Sequence, residues 1–185
     1  MPLDLMNMPN IYFAPPLGVR ELKIGEDWRA IWNETTGFPE GAPVTYGYAV
    51  VACDDKGFVT RELGAELWSI VEGPIEADEK PPAFVKRAAA AQMGASGGTI
   101  DLLGFFECRA TSNNAEHPVG FLTIRPIYLM AAKTMKDLGR DTGWERRRLP
   151  MNEFAKALRD RYPQFLEAMT MAVDRYMVSR AKGAG

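Results

Sequence analysis

The pattern of apolar and polar positions predicts three strands at the start of the core. Val44 to Cys53 is rich in β-branched and aromatic residues, and the turn formers Asp54-Asp55-Lys56-Gly57 follow it. Phe58 to Leu63 has the composition of a hairpin partner for that strand. Trp68 to Val71 is a further short apolar run, which Glu72-Gly73-Pro74 is expected to end.

The period of the apolar positions changes from that of a strand to that of a helix after residue 80. Pro81 and Pro82 are tolerated only in the first turn of a helix, and Ala83 to Met93 consists almost entirely of good helix formers. Gly94 has the position of a residue that ends a helix. The pattern therefore predicts one helix over this segment.

The second half of the chain predicts two long strands and then two helices. Thr99 to Ala110 and Phe121 to Ala132 are the strands, joined by the polar loop Thr111 to Gly120. One helix is expected through Leu158 with Asn152 as its N-cap. The other, from Pro163 to Ser179, places an apolar stripe on one face, formed by Phe165, Leu166, Met169, Val173 and Tyr176. This order predicts a fold of the α/β (α+β) class with a mixed sheet.

Residues 1–43 are expected to form an N-terminal extension packed on the domain. Met1 to Gly18 contains three methionines and four prolines, which is too apolar for a free tail and too rich in proline for a helix. Trp28, Ile31 and Trp32 stand at the spacing i, i+3, i+4, which predicts a short helix from Gly25 to Glu34. The expected division is an extension over 1–43, a domain over 44–180 and a flexible tail over 181–185.

Composition places the chain among ordinary single-domain proteins. It has 185 residues, with 22 basic and 24 acidic side chains, a balance that predicts neither a nucleic-acid nor a membrane partner. Cys53 and Cys108 are far apart and there is one histidine, so neither a disulfide framework nor a zinc site is expected. No apolar run is long enough to cross a bilayer, so we expect a soluble, cytoplasmic protein.

Four residues stand at spacings that resemble the Nudix box. The box is a Gly, five residues, a Glu, seven residues, Arg-Glu, an apolar position, any residue, Glu-Glu, any residue and Gly, and the matching anchors are Gly73, Glu79, Arg87 and Gly94. The strand, loop and helix predicted around them have the order that the box requires. The resemblance extends over residues 44–176 and implies a Nudix-like mixed β-sheet sandwiched between helices. It also implies that Glu79 and Arg87 pair across the loop and that the two glycines serve tight loop geometry.

The three carboxylates with which Nudix hydrolases hold magnesium or manganese are absent here. Their positions carry Ala88, Ala91 and Gln92, which stand at i, i+3 and i+4 and would project from one helix face. Magnesium requires oxygen ligands and is anchored by carboxylates, so we expect no metal and no other cofactor. The sequence then predicts a protein without metal-dependent pyrophosphohydrolase activity that serves as a ligand-binding or interaction module.

An alternative is an active Nudix hydrolase of nucleoside diphosphate-linked compounds with displaced metal ligands. In that hypothesis Glu76, Glu79 and Glu116 hold Mg or Mn in place of the missing carboxylates. His117 could serve as a mobile base in the loop, although we expect a solvent-exposed side chain there.

The resemblance places a ligand cleft against the box helix. Arginines of the cleft would bind phosphates, and Tyr128 would stack on a base. The expected ligand is a nucleotide-like small molecule, and the expected assembly is a homodimer formed through the apolar N-terminal arm or the last helix. The predicted lining is Arg61, Glu72, Ala88, Ala91, Gln92, Arg125 and Tyr128.

Overall fold

The computed structural model describes residues 21–34, 37–41, 43–163 and 165–184. Ten strands are described: β1 (Glu21–Ile24), β2 (Trp28–Glu34), β3 (Tyr46–Cys53), β4 (Lys56–Glu62), β5 (Val71–Pro74), β6 (Ala95–Ser96), β7 (Thr99–Ala110), β8 (Leu122–Ala131), β9 (Thr134–Met135) and β10 (Trp144–Pro150). The described helices are α1 (Pro81–Met93), α2 (Met151–Ala157) and α3 (Leu166–Gly183), with one 3₁₀ turn over Arg140–Thr142.

Within the described ranges, a large mixed sheet forms the centre of the molecule. Its strand order is β1-β2-β7-β8-β3-β4-β10, and β5 pairs with β3 beside β4. The β3 and β8 strands are parallel, whereas the other strand pairs of the sheet are antiparallel. The short strands β6 and β9 form a separate antiparallel pair.

Alternate residues of β3 pack on opposite faces of the sheet. Tyr48 and Val50 belong to the cluster that includes α2 and α3, whereas Ala49 and Val51 belong to the cluster that includes α1. Val50, Ala49 and Val51 are all fully buried, which agrees with a strand covered on both faces. The predicted mixed sheet sandwiched between helices is confirmed.

The box helix α1 forms where the sequence predicts it, with two prolines in its first turn and Gly94 as its C-cap. Gly94 has φ 69°, in the left-handed region, and its N–H bonds to the carbonyls of Ala89 and Ala90. A Cβ at this position would lie 2.4 Å from the Lys136 carbonyl oxygen. Only glycine therefore fits here, for reasons of both conformation and space.

The predicted helix over Gly25 to Glu34 is wrong. Trp28–Glu34 is strand β2, which pairs along its whole length with β7 and also with β1. Trp28, Ala30 and Trp32 alternate along the strand and face the α2–α3 side of the sheet. Their spacing also fits a helix, but pairing with the neighbouring strand outweighs that local preference.

Three other sequence predictions differ from the structure in detail. Glu72-Gly73-Pro74 continues strand β5 and does not end it. The N-cap of α2 is Pro150, not Asn152. In α3, Leu166 is 59% exposed, whereas Phe165, Met169 and Tyr176 of the predicted stripe are buried and Val173 is partly buried.

Strand β10, which contains the basic run Arg146 to Arg148, was not predicted from the sequence. This strand pairs with β4 at the edge of the sheet, in register from Trp144↔Glu62 to Pro150↔Lys56. Its three consecutive arginines leave no alternation of apolar and polar residues to detect, and Leu149 is the one residue buried along it. None of the described helices is long and apolar enough to span a membrane.

Candidate functional site

The loop between β5 and α1 is held by an ion pair. Arg87 donates two hydrogen bonds to Glu79, with Nε 2.7 Å from Oε1 and Nη2 2.8 Å from Oε2. The backbone N–H of Glu76 donates to the same carboxylate over 3.2 Å. Hydrogen bonding to Arg87 lowers the pKa of Glu79, and the same contact raises the pKa of Arg87. The pair implied by the Nudix resemblance is therefore formed, with the geometry of a bidentate contact.

Gly73, the first anchor of the box, lies in β5 opposite Gly47 of β3. It is not among the residues with positive φ, and a Cβ here would meet the Phe84 ring at 3.6 Å, an ordinary contact distance. Tight loop geometry therefore explains Gly94 but does not explain Gly73.

The three box positions without carboxylates have different surroundings. Ala88 is 3% exposed and packs in the core between α1 and the sheet, whereas Ala91 is exposed. Gln92 is 9% exposed; its Nε2 donates to the Glu72 carbonyl over 2.9 Å and its Oε1 accepts from the Glu72 N–H over 3.4 Å. Gln92 Oε1 is the only side-chain oxygen among these three residues, and it already accepts a hydrogen bond from the Glu72 N–H of β5. Two methyl groups and an engaged amide do not fit a hard divalent cation, which needs carboxylate oxygens.

The displaced acids of the alternative hypothesis do not converge. Glu79 is paired with Arg87, and Glu76 is exposed in the loop before α1. Glu116 lies in the loop after β7, where its N–H donates to Asn114. That loop is bonded to the β1–β2 turn through Asp27. Across the described ranges, no group of three or more His, Cys, Asp or Glu side chains could hold a metal ion.

A cleft of about 500 Å³ lies beside the C-terminal end of β4 and the N-terminal end of β5. Arg61 lines it, with its guanidinium carbon 4.3 Å from the Trp68 ring centroid and its Nε 2.8 Å from Glu145 Oε1. The cleft combines charged groups with the apolar surfaces of Leu67 and Trp144. Its lining is Arg61, Glu62, Ala65, Glu66, Leu67, Ser69, Glu72, Trp144 and Arg161.

Glu72 connects this cleft to the segment between α2 and α3. Its carboxylate accepts a hydrogen bond from Arg161 Nη2 over 2.7 Å and another from the Tyr162 hydroxyl. Burial, and next the negative charge of Glu72, raises the pKa of Tyr162 well above its ordinary value. Burial, with Glu72 as the next cause, raises the pKa of Tyr46 to about 12. Both phenols therefore stay protonated as hydrogen-bond donors at neutral pH.

The predicted cleft residues are not all brought together. Arg61 and Glu72 line the cleft, and the side-chain amide of Gln92 bonds the backbone of Glu72 without lining the cleft itself. Tyr128 is instead 4% exposed in the core beneath α1, where burial raises its pKa to about 12. Arg125 lies on the α2–α3 side of the sheet, opposite the face that carries Tyr128, and its guanidinium is beside the rings of Trp28 and Tyr46.

The structure also corrects the expectation for His117. Its side chain is half-buried and not solvent-exposed, because the ring stacks on Phe121 at 4.3 Å between centroids and lies 5.7 Å from the Trp28 ring. The two cysteines are both free and buried, which agrees with the absence of a predicted disulfide framework.

Sequence reasoning missed Arg161, Tyr162 and Trp68 at this site. Their contacts bring together segments that are far apart in sequence, such as Glu72 and Tyr162, which are separated by 90 positions. The signal that could have drawn attention to them is the pair Arg161-Tyr162, which follows the predicted helix ending at Leu158.

The chain has the fold of the Nudix hydrolases. The structure of the Bacillus subtilis pyrophosphohydrolase BsRppH is similar to it with a TM-score of 0.53 and 12% sequence identity, covering 70% of this chain and 77% of that chain. A MutT structure from work on Aliivibrio salmonicida and Vibrio cholerae has a TM-score of 0.49 and 12% identity, covering 72% and 98% of the two chains. No family model and no curated protein matches the sequence. At this level of identity the similarity shows the fold alone.

Proposed function

We propose that this chain is a non-catalytic Nudix-fold protein that binds a nucleotide-like small molecule without a divalent metal. The observation that carries the proposal is the face of α1, where Ala88, Ala91 and Gln92 replace the three carboxylates of the box. The anchors that shape the loop and helix are retained, because Arg87 still pairs with Glu79. The scaffold is thus kept while the cation ligands are lost.

The chemistry of these side chains supports the loss of hydrolysis. In metal-dependent phosphoryl chemistry the cation neutralises phosphate charge and generates the attacking hydroxide. Ala88 and Ala91 supply no oxygen, and Gln92 already uses its amide to bond Glu72. No described cluster of acids replaces them.

The cleft beside Arg61 supports binding of a small ligand. Its volume of about 500 Å³ lies within the range of small-molecule sites. Trp144 offers an aromatic surface for a planar base, while Arg61 and Arg161 are cations that could contact phosphate oxygens. Both arginines are paired with glutamates, so a phosphate would have to compete with Glu145 or Glu72.

The hydrolytic test uses dinucleotides, nucleotide sugars and nucleoside triphosphates with magnesium or manganese. We expect no turnover above a matched preparation of the Glu79→Gln variant. Turnover that requires the cation and stops on chelation would overturn the proposal.

Binding is tested by thermal shift with the same compounds in the presence of a chelator. A ligand that binds only the folded state stabilises it by RT ln(1 + [L]/Kd) and so raises the melting temperature. We expect stabilisation of the wild type and a smaller shift in Arg61→Gln. Absence of a shift with every compound would favour a purely structural or interaction role.

We also propose that the protein is a cytoplasmic homodimer that uses the exposed side of α3. Leu166, Met177 and Val178 are 59%, 45% and 53% exposed on this helix, and a second copy of the chain would cover these apolar side chains. Light scattering measures the molecular mass in solution. We expect twice the mass of one chain, and the mass of a monomer would contradict the proposed dimer.

A further inference from the structure

A second polar site lies on the sheet face opposite α1, where side chains of β2 and β8 meet those of β3, the strand that pairs with β5. Arg125 is in β8, beside Phe106 of β7 in the antiparallel register. Its guanidinium carbon is 4.8 Å from the Trp28 ring centroid and 5.1 Å from that of Tyr46. The two rings hold the cation by attraction to their faces and limit its motion. We call the group formed by Trp28, Tyr46, Tyr48 and Arg125 the Arg125 site.

Among the described residues Arg125 has no acidic partner, unlike six other arginines. Six ion pairs are present among the described residues, and each joins an arginine other than Arg125 to a carboxylate. The hydrogen bond described for Arg125 is a long one, from Nη1 to the Tyr48 hydroxyl over 3.4 Å. Its Nε is buried and has no hydrogen-bond partner. Five donors and a full positive charge are thus poorly matched by acceptors.

The charge balance around Tyr46 favours an anion. Arg125 and Arg161 both act on this phenol, and Glu72 is the acid that opposes them. Glu72 already accepts hydrogen bonds from Arg161 and Tyr162. The charge of Arg125 is therefore the one that remains without a counterion in this part of the described structure. A guanidinium in such a position gains most from a carboxylate or phosphate oxygen pair.

An aromatic surface continues from the Arg125 site. Trp28 is followed by His117 at 5.7 Å and then by Phe121, which stacks on His117 at 4.3 Å. Trp28, Tyr46 and Arg125 are each half-buried, so part of every side chain remains accessible to solvent. A planar ring carrying one anionic group matches this combination of a cation and adjoining ring faces.

We propose that the Arg125 site binds, without metal, the oxyanion of a small molecule with a planar ring. The Arg125 site shares no residue with the lining of the cleft beside Arg61, but it adjoins that cleft, because Glu72 and Arg161 of the lining also act on Tyr46. Its existence does not depend on whether the protein hydrolyses anything. The two sources of such an oxyanion are an aromatic carboxylate and the phosphate of a nucleoside monophosphate. The shared chemistry is a planar ring and a bidentate acceptor for the guanidinium.

The test is calorimetric titration in the presence of a chelator with three probes: benzoate, adenosine monophosphate and inorganic phosphate. We expect a ring-bearing probe to bind more tightly than inorganic phosphate. Arg125→Gln should weaken that binding about ten-fold or more, and Arg125→Lys should weaken it less, since it keeps the charge but loses the bidentate geometry. Comparison of the first two probes identifies the carboxylate or the phosphate as the preferred group.

Arg109→Gln is the matched control, because Arg109 lies on the neighbouring strand β7 and is paired with Glu107 at the surface. It should leave the affinity within about two-fold of the wild type, as expected for an exposed charge outside the site. An equal loss in both variants would show general electrostatic attraction and overturn the proposal. Binding that Arg61→Gln abolishes and Arg125→Gln retains would assign the ligand to the cleft and also overturn it.

A fluorescence measurement keeps the proposal testable if Arg125→Gln does not fold. The bound ring should change the emission of Trp28, so Trp28→Phe should lose most of the ligand-induced change while keeping its calorimetric affinity within about three-fold. An unchanged fluorescence response in Trp28→Phe, or no binding of any probe by the wild type, would refute the Arg125 site.

Discussion

Glu72 and Gln92 form a contact that holds the box helix against the sheet. In this chain the Gln92 amide bonds both backbone groups of Glu72 and so joins α1 to β5. The Glu72 carboxylate is then directed toward Arg161 and Tyr162. A carboxylate at position 92 could accept from the N–H of Glu72 but could not donate to its carbonyl. The amide at position 92 thus supplies a hydrogen-bond donor that a carboxylate would lack.

We expect Gln92→Glu to destabilise the protein at neutral pH. The change places a carboxylate beside the Glu72 carbonyl in a position that is 9% exposed. Loss of the buried donor and its partner should cost roughly 1–3 kcal/mol. Urea denaturation gives the free energy of unfolding, with Ala91→Glu as the control because residue 91 is exposed. Equal stabilities of Gln92→Glu and wild type would show that the amide contact contributes nothing.

The Glu79–Arg87 pair makes a prediction about pH. Because the pKa of Glu79 is lowered in the folded state, its stabilisation is present above the ordinary value of 4.5 and is lost as the pH falls through the folded-state value. Glu79→Gln should lower the melting temperature slightly at pH 7. Melting curves should show that the difference from wild type shrinks below pH 4.5. A difference that persists unchanged in acid would mean that the Glu79 charge is not its source.

At the scale of the elements, the sequence predicted what local pattern and turn chemistry determine. Helix α1, strand β3 and the β7–β8 pair appear where their compositions place them. The errors lie where pairing between distant segments decides the structure. Strand β2 has residues at helical spacing but pairs with β7, and β10 has little apolar pattern but pairs with β4. The cleft was incompletely predicted for the same reason, since Arg161 and Tyr162 meet Glu72 only through the fold.

Strand β10 contributes to the end of α1 through one arginine. Arg146 Nη1 donates to the carbonyl of Met93, the last residue of α1, and to that of Lys136 over 2.7 Å. A cation at this end also interacts favourably with the helix dipole. We expect Arg146→Met to lower the free energy of unfolding by roughly 1–3 kcal/mol, the range for hydrogen bonds to charged groups. Chemical denaturation measures it.

The exposed neighbour Arg147 provides the control for that prediction. Arg147→Met alters the same strand and changes the net charge by the same amount. We expect it to alter the free energy of unfolding by less than about 0.5 kcal/mol, as for a surface position. If both variants lose stability equally, the effect belongs to strand β10 as a whole and not to the contact with α1.

At the scale of the whole molecule, β1 and β2 are part of the main sheet. The sequence pattern predicts a boundary at residue 43, with residues 1–43 packed on a domain that begins at residue 44. In the structure β2 pairs with β7 over seven residue pairs, and Ala30 of β2 is fully buried. Trp32 packs against Phe106 with ring centroids 5.1 Å apart. The core on the α2–α3 side therefore includes residues from both sides of that boundary.

We expect removal of residues 1–43 to prevent stable folding and not to leave an intact domain. It would expose the edge of β7 and uncover the surface now covered by Trp28, Ala30 and Trp32. Two partly buried aromatic side chains, a buried alanine and a strand pairing are worth on the order of 5 kcal/mol, a large part of the stability of a typical domain. Thermal melting and size-exclusion chromatography of the truncated chain test this. A monomer that melts cooperatively near the temperature of the full chain would show instead that residues 44–185 fold on their own, as the sequence-based boundary predicted.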